Sequence, residues 1–375
     1  MKRLIIKTED LLQNIRTLHE KTEKEIIGVV KGNGYGLGLI PFAQLLVENG
    51  INTLAVTELC DACALREVGL TDCEILLMTP LYNKDDIKTL LENNITASIS
   101  STSCAYLLQE VCQAEEKNAK VHSKVDTGMG RYGFLPGEEA QLAEALISCK
   151  NLQPTGVYSH LHSAFGKEKT VKKQLASFLS FVEKTEALGV TLGKKHIANS
   201  AATLRFKSAH LDAVRIGSAF TGRLPAKNCC GLKRIGCLET EITELRTLKK
   251  GATSGYAAAF RAKKETKIAV IPLGTQDGFA LQKQQELFSF RAFLRACLTE
   301  FRRFIKNNRI AKVRINGATY SAIGRIGLVS SVISLEEKRR KKAPPQQPPA
   351  ITVGTVVQAD CNPLFIGAHV ERHYV

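Results

Sequence analysis

Short apolar runs alternate with helical patterns through the first 220 residues. The runs cover 26–30, 53–56, 74–78, 96–99, 120–125, 156–160, 195–198 and 213–216. The run at 26–30 is continuously apolar rather than alternating, the pattern of a parallel strand buried on both faces. Between them, 42–50, 60–69, 138–147 and 173–188 carry helical spacing, and glycine tends to close these segments. Eight such units predict an α/β fold, a (β/α)8 TIM-type barrel, over residues 1–230. From about residue 237 the texture becomes β-rich, with runs at 239–245, 266–272, 311–315, 323–333 and 352–359. A smaller, mainly β domain is therefore expected over 231–375. It carries a helical insert at about 284–306, where Leu287, Phe288, Phe290, Phe293, Leu294, Leu298, Phe301 and Phe304 form a stripe suited to a core or a docking face.

Charge divides the chain unevenly. The formal net charge is +16, and residues 231–375 hold 25 Lys and Arg against 11 Asp and Glu. The excess includes Lys338-Arg339-Arg340-Lys341-Lys342, which runs into a Pro/Gln-rich stretch, so 336–350 reads as a solvated basic loop. No aromatic-interleaved or recognition-helix pattern accompanies it, and no nucleic-acid partner is expected. No apolar stretch approaches the roughly 18 to 20 residues that span a bilayer, so no membrane partner is expected. The first apolar run, Leu4 to Ile6, is too short for a signal peptide. Eleven cysteines form no regular framework, which suits the cytoplasm, and Cys60-Asp61-Ala62-Cys63 lies in a helical pattern with no second pair, so no metal is expected.

The chemistry clusters where the predicted barrel strands end. Lys31 closes an apolar run and opens Gly32-Asn33-Gly34-Tyr35-Gly36-Leu37-Gly38. Partial desolvation there lowers an amine's pKa and suits a Schiff-base lysine. The glycine backbone N–H groups and the Tyr35 phenol can approach an anion beside it, which together suggest pyridoxal phosphate. Lys124 and Arg131 flank Asp126-Thr127-Gly128-Met129-Gly130, and Arg131 can grip a carboxylate in a bidentate fork. His160 ends another run and can stack on an aromatic cofactor. Asn199-Ser200 and Arg215-Ile216-Gly217-Ser218 end two more, with a hydroxyl and backbone N–H groups suited to phosphate.

These blocks, in this order, resemble the bacterial alanine racemase family of fold-type III pyridoxal phosphate enzymes. The resemblance covers most of the chain and weakens towards the C-terminus. It implies that Lys31 holds the cofactor and serves as one racemisation base. It further implies that Lys124, matching a lysine often carbamylated, positions Arg131 for the substrate carboxylate. Tyr35, Ser200, Gly217 and Ser218 would hold phosphate, with Asn199 beside them, and Arg215 would face the pyridine nitrogen. Tyr256, in Ser254-Gly255-Tyr256-Ala257-Ala258, matches the second base, which in relatives reaches the other subunit's site. A head-to-tail homodimer follows, with His160 linking Tyr256 to Arg215. The implied activity is interconversion of L- and D-alanine for peptidoglycan.

Several positions depart from the family. Thr275 and Gln276 replace the tyrosine and alanine of a Gly-Tyr-Ala-Asp-Gly segment that retains Asp277, while Leu328 and Val329 replace a methionine and an aspartate. Asn362 falls near a C-terminal tyrosine that narrows the pocket in alanine enzymes, a serine-racemase-like feature. A serine or broad-specificity racemase and a catalytically silent pyridoxal phosphate carrier are the alternatives.

Overall fold

The structure is a computed structural model, and it describes residues 1–224, 230–282, 290–305, 311–336 and 350–375. The expected basic Pro/Gln loop, and Leu287 and Phe288 of the apolar stripe, lie outside the described residues.

The chain divides into two compact units, Glu9–Arg234 and a second made of Met1–Thr8 with Ile235–Val375. The first strand, β1 (Lys2–Ile6), belongs to the second unit. The larger unit contains eight parallel strands: β2 (Glu25–Val29), β3 (Thr53–Val56), β4 (Glu74–Leu77), β5 (Ala97–Ile99), β6 (Ala119–Lys124), β7 (Leu152–Tyr158), β8 (Lys194–His196) and β9 (Ala213–Ile216). Their order is β4-β3-β2-β9-β8-β7-β6-β5, and a parallel bridge between Leu76 and Thr96 joins the outermost pair into a barrel. Strands β3 and β9 are buried at every residue, as continuous apolar runs require. Ile27, Val29, Ala55, Leu76 and Ala213 pack together inside, with Tyr35 and Met78 against them. Outer helices at Leu39–Glu48, Leu59–Glu67, Glu139–Ser148 and Glu168–Glu186 follow the predicted segments. Asn199 caps a short helix, Ser200–Arg205, by accepting from the Ala202 N–H at 3.1 Å.

The smaller unit is built on a nine-stranded sheet, with β10 (Cys237–Glu241), β11 (Glu244–Leu248), a separate hairpin of β12 (Thr253–Ser254) and β13 (Phe260–Arg261), then β14 (Thr266–Ile271), β15 (Lys312–Ile315), β16 (Ala318–Ile323), β17 (Ser331–Ser334), β18 (Val356–Asp360) and β19 (Glu371–Tyr374). The sequence places residues 1–8 in the barrel domain, and here the structure corrects it. Strand β1 pairs antiparallel with β10 and parallel with β19, over 230 residues away in sequence. The Lys2 ammonium seals this join by contacting Asp277 at 2.9 Å, while His369 Nε2 lies 2.9 Å from the same carboxylate oxygen. Asp277 Oδ2 also accepts from the Gly274 N–H at 2.9 Å.

Asp277 is fully buried, and removing one member of a buried ion pair typically costs about 3–5 kcal/mol. Because Lys2 and His369 keep some solvent access, Asp277→Ala is expected to destabilise this unit by about 2–3 kcal/mol, read from the denaturant midpoint. Burial alone would raise the Asp277 pKa, but the bonds from His369, Lys2 and Gly274 hold it below its ordinary 3.8. Its contribution is therefore full above pH 3.8 and is lost as pH falls through the lower folded value. A midpoint unchanged in the variant at neutral pH would show that the pair adds nothing.

The insert forms the helix Phe290–Ile305. Its apolar stripe is not core among the described residues, since Phe290, Phe293, Leu294, Leu298 and Phe301 are all exposed. No helix among the described residues is long and apolar enough to cross a membrane.

Candidate active site

The barrel strands deliver their C-terminal residues to one cavity of about 290 Å³. Lys31 follows β2, Lys124 ends β6 and Arg131 follows it, Tyr158 ends β7 with His160 just beyond, Asn199 and Ser200 follow β8, and Arg215 lies on β9 with Gly217 and Ser218 after it. All of these line the cavity, together with Tyr35. Of the residues expected at the site, only Tyr256 belongs to the other unit, where it is 74% exposed on a short 3-10 turn.

The glycine-rich segment after Lys31 folds differently from the expected anion cradle. Gly32, Asn33, Gly34 and Tyr35 have φ of 61°, 54°, 62° and 55°, a left-handed turn. Such a conformation costs roughly 1–2 kcal/mol per residue with a side chain, which glycine avoids and asparagine tolerates. The turn uses its own donors: the Gly34 N–H bonds to Val30, Gly36 to Gly32 and Asn33, and Gly38 to Asn33. Its product is the placement of Tyr35 across Gly217. A Cβ at 217 would lie 2.4 Å from the ring and 2.5 Å from the hydroxyl, so only glycine allows this approach. Beside Tyr35, Ser200 Oγ accepts from the Gly217 N–H at 3.0 Å and the Ala219 N–H at 3.3 Å.

Electrostatics define what the cavity takes. Lys31, Lys124, Arg131 and Arg215 all face it, and no lining residue is acidic. Burial first, then the fields of Arg131 and Arg215, lower the Lys31 pKa. The same causes, offset in part by Asp126, bring Lys124 to about 8. Burial with the four neighbouring cations pushes His160 to about 3, so its imidazole is neutral. Burial lowers Arg215 to about 10, still charged at neutral pH, and its Nη2 donates to the Ser159 carbonyl at 2.6 Å and sits 3.4 Å from His160 Nδ1.

Two residues at the site escaped sequence reasoning. The Asp126 carboxylate accepts the backbone N–H groups of Gly128, Met129, Gly130 and Arg131 at 2.6–3.0 Å, which moulds the loop carrying Arg131. An aspartate just before Thr-Gly-Met-Gly was a readable turn signal. The Tyr158 ring lies under both Lys124 Nζ, at 5.4 Å, and the Arg215 guanidinium, at 5.1 Å, so it stabilises two of the cations through its π face. Only its place at the end of a strand hinted at this.

Pyridoxal phosphate fits the residues present. The donor set offers an amine made nucleophilic by burial, a neutral imidazole for the ring, an arginine deep in the barrel, and hydroxyl and backbone donors for phosphate. The fold and site together define a barrel-type pyridoxal phosphate enzyme. The profile of the alanine racemase N-terminal domain matches residues 6–225, and that of the alanine racemase C-terminal domain matches 236–355. The chain is 35% identical to an alanine racemase of Desulforamulus reducens over 73% of its own length and 76% of the relative's. It is 36% identical to that of Clostridium tetani over 68% and 67% respectively. Among solved structures, the alanine racemase of Streptomyces coelicolor superposes with a TM-score of 0.83 at 25% identity, over 100% of this chain and 98% of the other. That of Bacillus anthracis with bound L-Ala-P gives 0.81 at 25%, over 100% and 95%. The chain belongs to the alanine racemase family.

The family departures lie in the smaller unit. Thr275 and Gln276 donate backbone N–H groups to the carbonyls of Gly327 and Leu328 at 3.0 and 3.1 Å, so these substituted segments pack together through backbone, whatever their side chains. Leu328 and Val329 are exposed. The Asn362 side-chain oxygen accepts from the Leu364 N–H at 3.2 Å and caps its own turn.

Proposed function

We propose that this chain is a pyridoxal phosphate-dependent amino-acid racemase that interconverts L- and D-alanine with two bases. The observation that carries this reading is a cavity lined by four basic side chains and no acidic one, with one of the four an amine of lowered pKa. Such a cavity is made for two anionic groups, a phosphate and an α-carboxylate.

When bound, pyridoxal phosphate supplies an electron sink that makes the substrate's Cα–H acidic. Lys31 tethers the cofactor, and its amine, destabilised as a cation, accepts and returns a proton on one face of Cα. Tyr256 of a second subunit serves the other face, which makes a head-to-tail homodimer the working form. Arg131, set by the Asp126 loop and by Lys124, binds the carboxylate. Tyr35, Ser200, Gly217 and Ser218 hold phosphate, and Asn199 braces Ser200 by capping its helix. His160 stays neutral and packs on the ring. Arg215 does not surrender its proton to a ring nitrogen, so the sink stays weak and proton return prevails over side reactions. The product suits peptidoglycan synthesis in the cytoplasm.

The test is chiral chromatography after incubating the purified protein and pyridoxal phosphate with L-alanine or L-serine. Fast formation of D-alanine is expected. Preferential formation of D-serine would replace the substrate assignment, and no turnover in the presence of bound cofactor would replace it with a carrier.

A further inference from the structure

Below the cavity, the barrel interior holds two histidines that the proposed chemistry leaves unused. Arg215 Nη1 lies 2.9 Å from His196 Nδ1, His196 Nε2 lies 3.0 Å from His122 Nδ1, and His122 Nε2 lies 3.5 Å from Glu74 Oε1. Both imidazoles are buried to 1% exposure or less. The carboxylate of Glu74 is held in turn by Thr96 Oγ1 at 3.0 Å.

The direction of this line can be deduced. A guanidinium only donates, so His196 Nδ1 must present a lone pair and its proton must sit on Nε2. That proton points at His122 Nδ1, which must therefore accept. The remaining His122 proton is on Nε2 and faces the Glu74 carboxylate across 3.5 Å, longer than a normal hydrogen bond, so this buried donor has a charged neighbour but no hydrogen-bond partner among the described residues. Any reversal would set two N–H groups head to head at about 3 Å in a buried site. Burial and the neighbouring Arg215 also keep His196 neutral. Burial raises the pKa of Glu74, but the His122 imidazole beside it, the Thr96 hydroxyl and Lys194 hold the carboxylate below its ordinary 4.5, so the line ends on a negative charge.

The barrel is shaped to admit this line. A Cβ at Gly156 would lie 2.6 Å from the His122 ring, so the imidazole occupies the space that any other residue on β7 would fill. The β6–β7 register shifts between Val121 and His122. His196 stacks on Tyr158 with centroids 5.0 Å apart and planes 11° from parallel. Arg215, for its part, is buried with neutral acceptors: the carbonyls of His196 and Ser159, and the imidazoles of His196 and His160.

We propose that Glu74, His122 and His196 are positioning residues for Arg215: a one-way line of two hydrogen bonds, ended by a 3.5 Å contact, carries the influence of a carboxylate at the lower rim of the barrel to a guanidinium at the cavity. The line fixes the guanidinium in place and favours its charged form, because polarised hydrogen bonds in a low-dielectric interior reinforce one another. The proposal rests on the reading that Arg215 meets the cofactor ring.

The test begins with magic-angle-spinning 15N NMR of the full-length, histidine-labelled protein at neutral pH, with His122→Gln and His196→Gln used to assign the signals. Two neutral imidazoles protonated at Nε2 are expected, with or without pyridoxal phosphate. An imidazolium at either position, or an Nδ1–H form of His196, would overturn the proposal whether or not the protein racemises anything. Glu74→Gln keeps an acceptor but removes the charge. It is expected to shift the visible absorbance of bound pyridoxal phosphate and lower kcat roughly tenfold with KM unchanged, within the hundredfold that misplacement by an ångström brings. Gly156→Ala is expected to displace the His122 ring and give His196 a mixture of tautomers. Unchanged cofactor absorbance in Glu74→Gln would remove the positioning role, and because absorbance needs no turnover, this result stays separate from a failure of the racemase reading.

Discussion

Lys31→Ala is expected to abolish the absorbance of lysine-linked pyridoxal phosphate and to lower racemisation by at least about 10⁴-fold. General base catalysis by one side chain contributes about 10²–10⁴-fold, and this variant loses the covalent tether as well. The reason lies in the setting of the amine. Lys31 leaves β2 at the mouth of the barrel, where burial and the Arg131 and Arg215 guanidinium groups disfavour its ammonium form. An amine elsewhere on the surface would be protonated at neutral pH and unreactive. A variant with the wild-type spectrum would sink the whole site assignment, since no other residue around the cavity would then have been correctly ranked.

For Tyr256→Phe, the cofactor is expected to bind normally while racemisation falls about 10²–10⁴-fold, the usual contribution of one acid–base group. The decisive readout is isotope exchange. With Lys31 intact, solvent deuterium should enter one enantiomer of alanine without inversion, while the other enantiomer keeps its α-proton. Equal exchange into both would remove Tyr256 as a base. Its exposure favours such a role, because a phenol on a turn with Ala257 and Ala258 in left-handed conformations is presented outward, not packed. Mixed dimers offer a sharper version. Subunits carrying Lys31→Ala combined with subunits carrying Tyr256→Phe should recover activity in the one site that has both bases, and no recovery would show that the bases come from the same subunit.

Much of the barrel was legible because strands such as β3 and β4 are short, largely apolar runs buried on both faces, although β6 (AKVHSK) and β8 (KKH) are not. The run at 53–56 coincides with β3 and that at 213–216 with β9. Strand β7 begins at Leu152, earlier than the apolar run, because Gln153 is exposed, Pro154 and Thr155 are only partly enclosed, and the three carry no apolar signal. The smaller unit was harder to read. Strands β16 and β19, with sequences ATYSAI and ERHY, mix polar and apolar residues without a clear period. The run at 323–333 reads as a single strand, yet only β17 forms there, since Gly324 adopts φ of 70° and breaks the extended chain. Strand β1 falls within the 1–230 span read as the barrel domain, and nothing local in KRLII assigns it to the other unit.

At the site, residue order was enough to say which types would gather: lysine, arginine, histidine, serine and glycine stand at strand ends, and the barrel brings strand ends together. It misassigned the role of the glycines after Lys31, because local composition permits both an anion cradle and a left-handed turn, and the choice depends on which carbonyls lie within reach of the N–H groups. Three-dimensional packing settles that Tyr35 crosses Gly217, that Asp126 shapes the Arg131 loop, and that His122 and His196 stand in line beneath Arg215. The lowered pKa values of Lys31 and Lys124 belong to the same category. Periodicity and turn chemistry act between neighbours in sequence, whereas desolvation and the fields of distant cations depend on which strands the fold sets side by side.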